Sequence, residues 1–266
     1  MKHFLTLIVF ILMVFGCKSE NEKRGEFSVK TSPLEGQDRQ NDTSEIEINP
    51  ISHATAVITW GESTIYLDPT GGAKAFERME NPDLVLITDI HGDHLDSKTL
   101  TALEVGKASI IVPKAVKEKL QDTLASNLRV LNNGETLQVN GFSIEAIPMY
   151  NLREEAKQYH QKGRGNGYVL EKDGQRLYIA GDTEVIPEMR NLKDIDVALI
   201  PMNLPYTMTV EKAAEAVLEF APRKVVPYHF RGTQGMSDVD KFKQLVKEGN
   251  PEIEVEMLEW YPEKTK

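Results

Sequence analysis

From Ile46 onward, short apolar runs alternate with breaks rich in Gly, Asn, Asp and Pro, a pattern of strands and turns. Ile46 to Ile51, Ala54 to Trp60 and Ser63 to Leu67 read as strands, the last two joined by a hairpin turn at Gly61-Glu62. Asp68-Pro69-Thr70-Gly71-Gly72 stops the third strand, and Ala73 to Glu80 is a short helix candidate. Leu84-Val85-Leu86-Ile87 is apolar at four successive positions, as expected of a central strand buried on both faces of a parallel or mixed sheet. A helix is expected at Ser97 to Glu104, capped by Asp96 or Ser97, then a strand at Ala108 to Val112. A further helix at Pro113 to Leu124 starts on its proline. Strands follow at Arg129 to Leu131, Thr136 to Val139 and Phe142 to Ile147, with turns at Asn132-Asn133-Gly134 and Asn140-Gly141. Tyr168 to Glu171 and Arg176 to Ala180 form a hairpin about Asp173-Gly174, and Val197 to Ile200 is another apolar strand. Ala213, Ala214, Val217 and Leu218 fall at helical spacing within Thr209 to Phe220, a helix ended by Ala221-Pro222. A strand at Lys224 to Pro227, a helix at Asp238 to Lys247 and a strand at Ile253 to Leu258 complete the pattern. Hairpins mixed with β-α alternation point to two sheets with helices outside.

Before Ile46 the pattern differs. Met1-Lys2-His3 precedes an apolar run from Phe4 to Phe15, too short to span a bilayer as a permanent helix and shaped like an export signal. The run ends in Val14-Phe15-Gly16-Cys17, which resembles a bacterial lipoprotein processing box. Residues 1–16 are therefore expected to be a signal peptide and Cys17 the lipidated first residue. That places the mature chain in the bacterial cell envelope, lipid-anchored outside the cytoplasm. Residues 17–45 carry scarcely any apolar side chain and are expected to be a disordered tether, leaving 46–266 as the folded domain.

Composition narrows the chemistry. The 266 residues are 40% hydrophobic and 27% charged, ordinary for a globular domain, and the formal charge of -10 argues against nucleic acid as a partner. Cys17 is the single cysteine, so once it is lipidated no disulfide and no thiolate ligand is possible. Any metal must then be held by imidazole and carboxylate. The central strand leads straight into Asp89-Ile90-His91-Gly92-Asp93-His94, two imidazoles and two carboxylates within six positions. Asp89 and His91 share one direction in extended chain, and Gly92 permits the bend that turns Asp93 and His94 toward a second point. The chain has six histidines; outside the signal and this run they are His53, His160 and His229. His160 lies in a loop before a strand, His229 follows the strand ending in Pro227, and Asp182 follows Leu177-Tyr178-Ile179-Ala180. Strand ends are where α/β sheets build their sites.

The ordered set Asp89-x-His91-x-Asp93-His94, His160, Gly181-Asp182-Thr183 and Pro227-Tyr228-His229 resembles the metal motifs of the metallo-β-lactamase superfamily. Ala180-Gly181-Asp182-Thr183, Pro201-Met202-Asn203-Leu204-Pro205-Tyr206-Thr207-Met208 and His53-Ala54-Thr55 resemble its lactonase-like, broad hydrolase branch. The likeness runs from about Ile46 to Leu258. It implies an α+β fold, the αββα sandwich of two mixed β-sheets flanked by helices, with metals at the edge between the sheets. Carried over position by position, it implies a first metal held by Asp89, His91 and His160, and a second by Asp93, His94 and His229. Asp182 would bridge them. Zinc is the first expectation, but most members begin the motif with His, and Asp89 makes this site harder and more negative, which brings in manganese or iron as alternatives.

The resemblance further implies a dinuclear hydrolase, its metals roughly 3.5–4 Å apart and holding a bridging hydroxide aimed at an ester, lactone, amide or phosphodiester. Asp93 would orient that hydroxide or take its proton, making Asp93 and Asp182 the catalytic pair. Asp68 resembles the carboxylate that orients a ligand, and His53 would support the site or face the small-molecule substrate. Tyr150, Asn151, Arg164, Asn203, Tyr206 and Arg231 are loop candidates for substrate contact, Arg231 best suited to an anion. Asn166 and its neighbouring glycines read as turn residues. A non-catalytic metal-binding or sensing lipoprotein on the same scaffold is the alternative, and di-iron redox chemistry a weaker third. The sequence leaves the oligomeric state open.

Overall fold

The computed structural model describes residues 45–103, 105–120 and 127–261. The expected signal peptide, Cys17 and all of the tether but Glu45 lie outside the described residues, as does the end of the helix expected to reach Leu124.

Two sheets pack face to face. The first is ordered β1 (Ile46–Ser52), β2 (Thr55–Trp60), β3 (Ser63–Leu67), β4 (Leu84–Leu86), β5 (Ser109–Val112) and β6 (Leu128–Val130). Its first three strands are antiparallel, whereas β3 to β6 run parallel. The second sheet is built from β7 (Thr136–Val139), β8 (Phe142–Met149), β9 (Gly165–Lys172), β10 (Gln175–Ile179), β11 (Val197–Pro201), β12 (Lys224–Tyr228) and β15 (Glu254–Val255). Here β7 to β10 are antiparallel, while β10, β11, β12 and β15 run parallel. The small hairpin β13 (Arg231–Gly232) and β14 (Gly235–Met236) stands apart from both.

The alternation of strand side chains divides the core into three layers. Leu84 and Leu86 point inward to meet Phe142, Tyr168 and Leu199 of the other sheet. Val85 and Ile87 point outward against Leu100 of α1 (Ser97–Ala102) and Val116 of α2 (Lys114–Lys117). On the far side, Ala198 and Ile200 of β11 pack against Met189 of α3 (Pro187–Arg190), Val217 of α4 (Val210–Phe220) and Phe242 of α5 (Val239–Gly249). A strand covered on both faces must be apolar throughout, which is why β4 and β11 carry uninterrupted apolar runs. No helix among the described residues is long and apolar enough to cross a membrane.

The structure departs from the pattern reading at several points. The helix expected from Ala73 to Glu80 is a single 3-10 turn, Ala73–Phe76. Only Phe76 of it is buried, so no apolar face holds a longer helix in place. The last strand is confined to Glu254–Val255. Asn166 and its glycines are not turn residues; they open β9, where a Cβ on Gly167 would stand 2.7 Å from the Ala180 carbonyl.

Candidate metal centre

Seven side chains converge where the C-terminal ends of strands from the two sheets meet. Asp89, His91, Asp93 and His94 come from the loop after β4, Asp182 from the residues after β10 and His229 from the end of β12. His160 is carried by the connection between β8 and β9. Of the two expected caps, Asp96 rather than Ser97 caps α1, accepting from the backbone N–H of Lys98 and Thr99. Asp93 and His94 are thereby left for the site. With His53 they fall into three groups, Asp89 with His91 and His160, His94 with Asp182 and His229, and His53 with Asp93 and His229, the last two sharing His229.

Asp182 is the hub. Its Oδ2 lies 3.4 Å from His94 Nε2 and 3.2 Å from His160 Nε2, and its Oδ1 lies 3.2 Å from His229 Nε2. Asp93 Oδ2 stands 3.4 Å from His229 Nε2, and the Nε2 atoms of His94 and His229 face each other at 3.2 Å. Donors about 2.0–2.1 Å from a tetrahedral ion lie about 3.3 Å from one another, so these spacings match the edges of a coordination shell. Asp182 Oδ1 is also buried with no hydrogen-bond partner, a position a native fold rarely leaves to a carboxylate oxygen. The donor set of imidazoles and hard oxygens therefore fits divalent ions.

The imidazoles are aimed from behind. Asp68, wholly buried, accepts at Oδ2 from His94 Nδ1 at 2.8 Å, which leaves His94 Nε2 to face the site. The same carboxylate accepts from the backbone N–H and the hydroxyl of Thr88, at 2.7 and 2.6 Å. His160 Nδ1 donates to the Tyr206 carbonyl at 3.1 Å, fixing that ring the same way. Asn203 lies 3.3 Å from His229 Nδ1, and Thr207 fastens its amide. His53, Asp68 and His229 all adopt positive φ, of 57°, 43° and 47°. Such backbone costs about 1–3 kcal/mol per residue and clusters at functional sites.

The charges are strongly coupled. Burial would lower the pKa of His94, but the carboxylates of Asp182 and Asp68 on either side outweigh it and raise the pKa well above the usual imidazole range. His229 is raised likewise, burial being overcome by Asp182 and Asp93. Asp182 is held well below the ordinary carboxylate range by His229, His94 and His160, against the opposing effect of burial. Asp93 is pushed far down as well, with burial opposed by bonds from His229 and His53. Burial lowers the pKa of His53.

A cavity of about 450 Å³ opens over the centre, lined among others by His53, Asp93, Asn203, Tyr206, Arg231 and Thr233. The Arg231 guanidinium stacks 4.6 Å over the Tyr261 ring, whose hydroxyl is 2.8 Å from His53 Nδ1. Tyr261 had no signal in the sequence. Of the loop residues considered for substrate contact, Tyr150, Asn151 and Arg164 do not line this cavity. Tyr150 hydrogen-bonds Glu188 at 3.0 Å, buried Asn151 donates to the carbonyls of Ala156 and Tyr206, and Arg164 pairs with Asp89.

The model of the beta-lactamase superfamily domain matches residues 47–229. A UPF0173 metal-dependent hydrolase of Thermococcus onnurineus is 32% identical over 210 residues, which cover 76% of this chain and 92% of that one. A solved protein of Parabacteroides distasonis is 38% identical with a TM-score of 0.72, covering 81% of this chain and 94% of that one. Igni18, a metallo hydrolase of Ignicoccus hospitalis, superposes with a TM-score of 0.68 over 82% of this chain and 96% of its own at 24% identity, a likeness of fold.

Proposed function

Because the chain belongs to the metallo-β-lactamase superfamily and is a metal-dependent hydrolase, we propose that it works with a dinuclear centre on a small ester, lactone, amide or phosphodiester. The observation that supports two ions is Asp182, a buried carboxylate with His94 and His160 against one oxygen and His229 against the other. It can serve both positions at once, Asp89, His91 and His160 completing one and Asp93, His94 and His229 the other. Zinc suits the imidazoles, and the carboxylate of Asp89 keeps manganese and iron as alternatives. When bound, such a pair would supply a water made more acidic at near-neutral pH and positive charge beside the electrophile's oxygen.

The chain's own residues do the rest. Asp93 faces the cavity, its side chain 39% exposed and its depressed pKa keeping it ionised, so it orients the attacking water by accepting its hydrogen bond. His53 Nε2 stands 3.4 Å behind it and holds the carboxylate in place, its own pKa lowered by burial. Tyr261 fixes the other side of the His53 ring. Arg231 makes no ion pair among the described residues, which favours a substrate carrying an anionic group.

The test is metal content by elemental analysis, together with a screen of lactones, esters and phosphodiesters. Asp182→Ala is expected to lose both ions and all turnover; hydrolysis retained by that variant refutes the bridging role. We propose in addition that Cys17 is lipidated and holds the domain at the cell envelope. Cys17→Ser should then move the protein from the membrane fraction to the soluble one, and an unchanged distribution refutes the anchor.

A further inference from the structure

We propose that Arg164 makes the two metal positions unequal, so that the Asp89–His91–His160 position is the weaker and fills second. The inference rests on the two-metal reading above.

The topology forces the contact. The backbone N–H of Asn166 donates to the Thr88 carbonyl at 2.9 Å, tying the start of β9, in one sheet, to the end of the β4 segment in the other. Gly165 allows the approach, because a Cβ there would stand 2.8 Å from that same carbonyl. Arg164 is thereby set beside Asp89. Its Nε donates to Oδ1 at 3.1 Å and its Nη2 to Oδ2 at 2.9 Å, a two-point fork on a carboxylate with no exposure to solvent. Arg164 Nη2 also donates to the Tyr159 carbonyl, and His91 Nδ1 stands 2.7 Å from Asp89 Oδ2.

Both oxygens of Asp89 are therefore engaged before any ion arrives. The contrast with the other position is direct. There His94 and His229 stand 3.4 and 3.2 Å from Asp182, whose Oδ1 has no hydrogen-bond partner. At Asp89 the spacing is uneven, with His91 Nδ1 at 2.7 Å from Oδ2 and His160 Nε2 at 4.0 Å. An ion entering here shares its carboxylate with the guanidinium, a like charge held 2.9 Å from Oδ2. In electrostatic terms Asp89 plus Arg164 is neutral, as the family's usual imidazole is, but it is a poorer donor.

The test is calorimetric titration of the metal-stripped full chain with Zn²⁺, with elemental analysis at saturation. Wild type should show two steps separated by about tenfold or more, the range that partners of metal ligands command. Arg164→Met should tighten the weaker step about tenfold or more and leave the stronger unchanged. Two equal steps in wild type, or a variant whose weaker step is unchanged or lost, overturn the proposal. Loss would mean that the guanidinium holds Asp89 in place for the ion. Should Arg164→Met not fold by circular dichroism, Asp89→His with Arg164→Met leaves no buried charge unpaired and carries the same test. A chain that binds no ion at all defeats the two-metal reading itself.

Discussion

Replacing Asp68 with Asn keeps the shape of a buried side chain but removes its negative charge and, at the Oδ2 position, the ability to accept from His94. The amide oxygen can still accept from the Thr88 backbone, as Oδ1 does at 2.7 Å. Its NH₂ must then occupy the place of Oδ2, which lies 2.6 Å from the Thr88 hydroxyl and 2.8 Å from His94 Nδ1. Two donors would face each other across that gap. Either His94 keeps its Nδ1 proton and exchanges a charged acceptor for the Thr88 hydroxyl oxygen 2.9 Å away, or it moves the proton to Nε2, the atom 3.4 Å from Asp182. The first weakens the bond that aims the ring, and the second withdraws the lone pair that would bind an ion. Metal affinity should therefore fall roughly 10–100-fold, the range seen for such partners. Competition against a chromophoric chelator at pH 7 measures the tighter of the two affinities directly. Circular dichroism of the metal-free variant separates this loss from general unfolding. An affinity within about threefold of wild type, less than about 0.7 kcal/mol, would refute the claim that Asp68 sets the His94 tautomer.

Two further outcomes follow from the charges. In the metal-free protein the raised pKa values of His94 and His229 contribute stability that is complete below about 6.5 and lost as pH climbs through the raised values. The melting temperature with chelator present should thus fall from about pH 6 to pH 9, whereas the metal-loaded protein should stay level; a flat metal-free curve contradicts the assignment. Arg231→Ala should raise KM about tenfold or more for substrates bearing a carboxylate or phosphate and leave kcat near its original value, since the guanidinium lies at the cavity rather than on the reacting atoms. An equal loss on neutral esters would show that Arg231 shapes the hairpin instead of binding the anion.

The parts of this molecule that were legible beforehand are those with local signals. Leu84 to Ile87 reads as a strand buried on both faces because sheet burial acts residue by residue, and Asp89, Asp182 and His229 stand out because each closes such a run. What stayed hidden depends on contacts between distant segments. Asp89 and Arg164 are 75 positions apart and belong to segments of different sheets, so neither run announces the other. Tyr261 reaches His53 across 208 positions, from a stretch with no periodicity of its own. Gly165 and Gly167 misled the reading of Asn166 for a related reason: a glycine can serve a turn or the close approach of a neighbouring strand, and only packing distinguishes them.

The separation of the site's residues along the chain also sets the order in which it can be assembled. Synthesis delivers Asp89 to His94 early, but those four side chains alone lack the carboxylate hub and the last imidazole. Nothing resembling the finished coordination shell exists until His229 has emerged and β12 has joined its sheet. Metal capture is therefore a closing event, one that ties the first-made sheet to the last-made one across the 139 residues between Asp89 and His229. A ribosome stalled short of His229 would hold a polypeptide with most of the ligands and little grip on the ion.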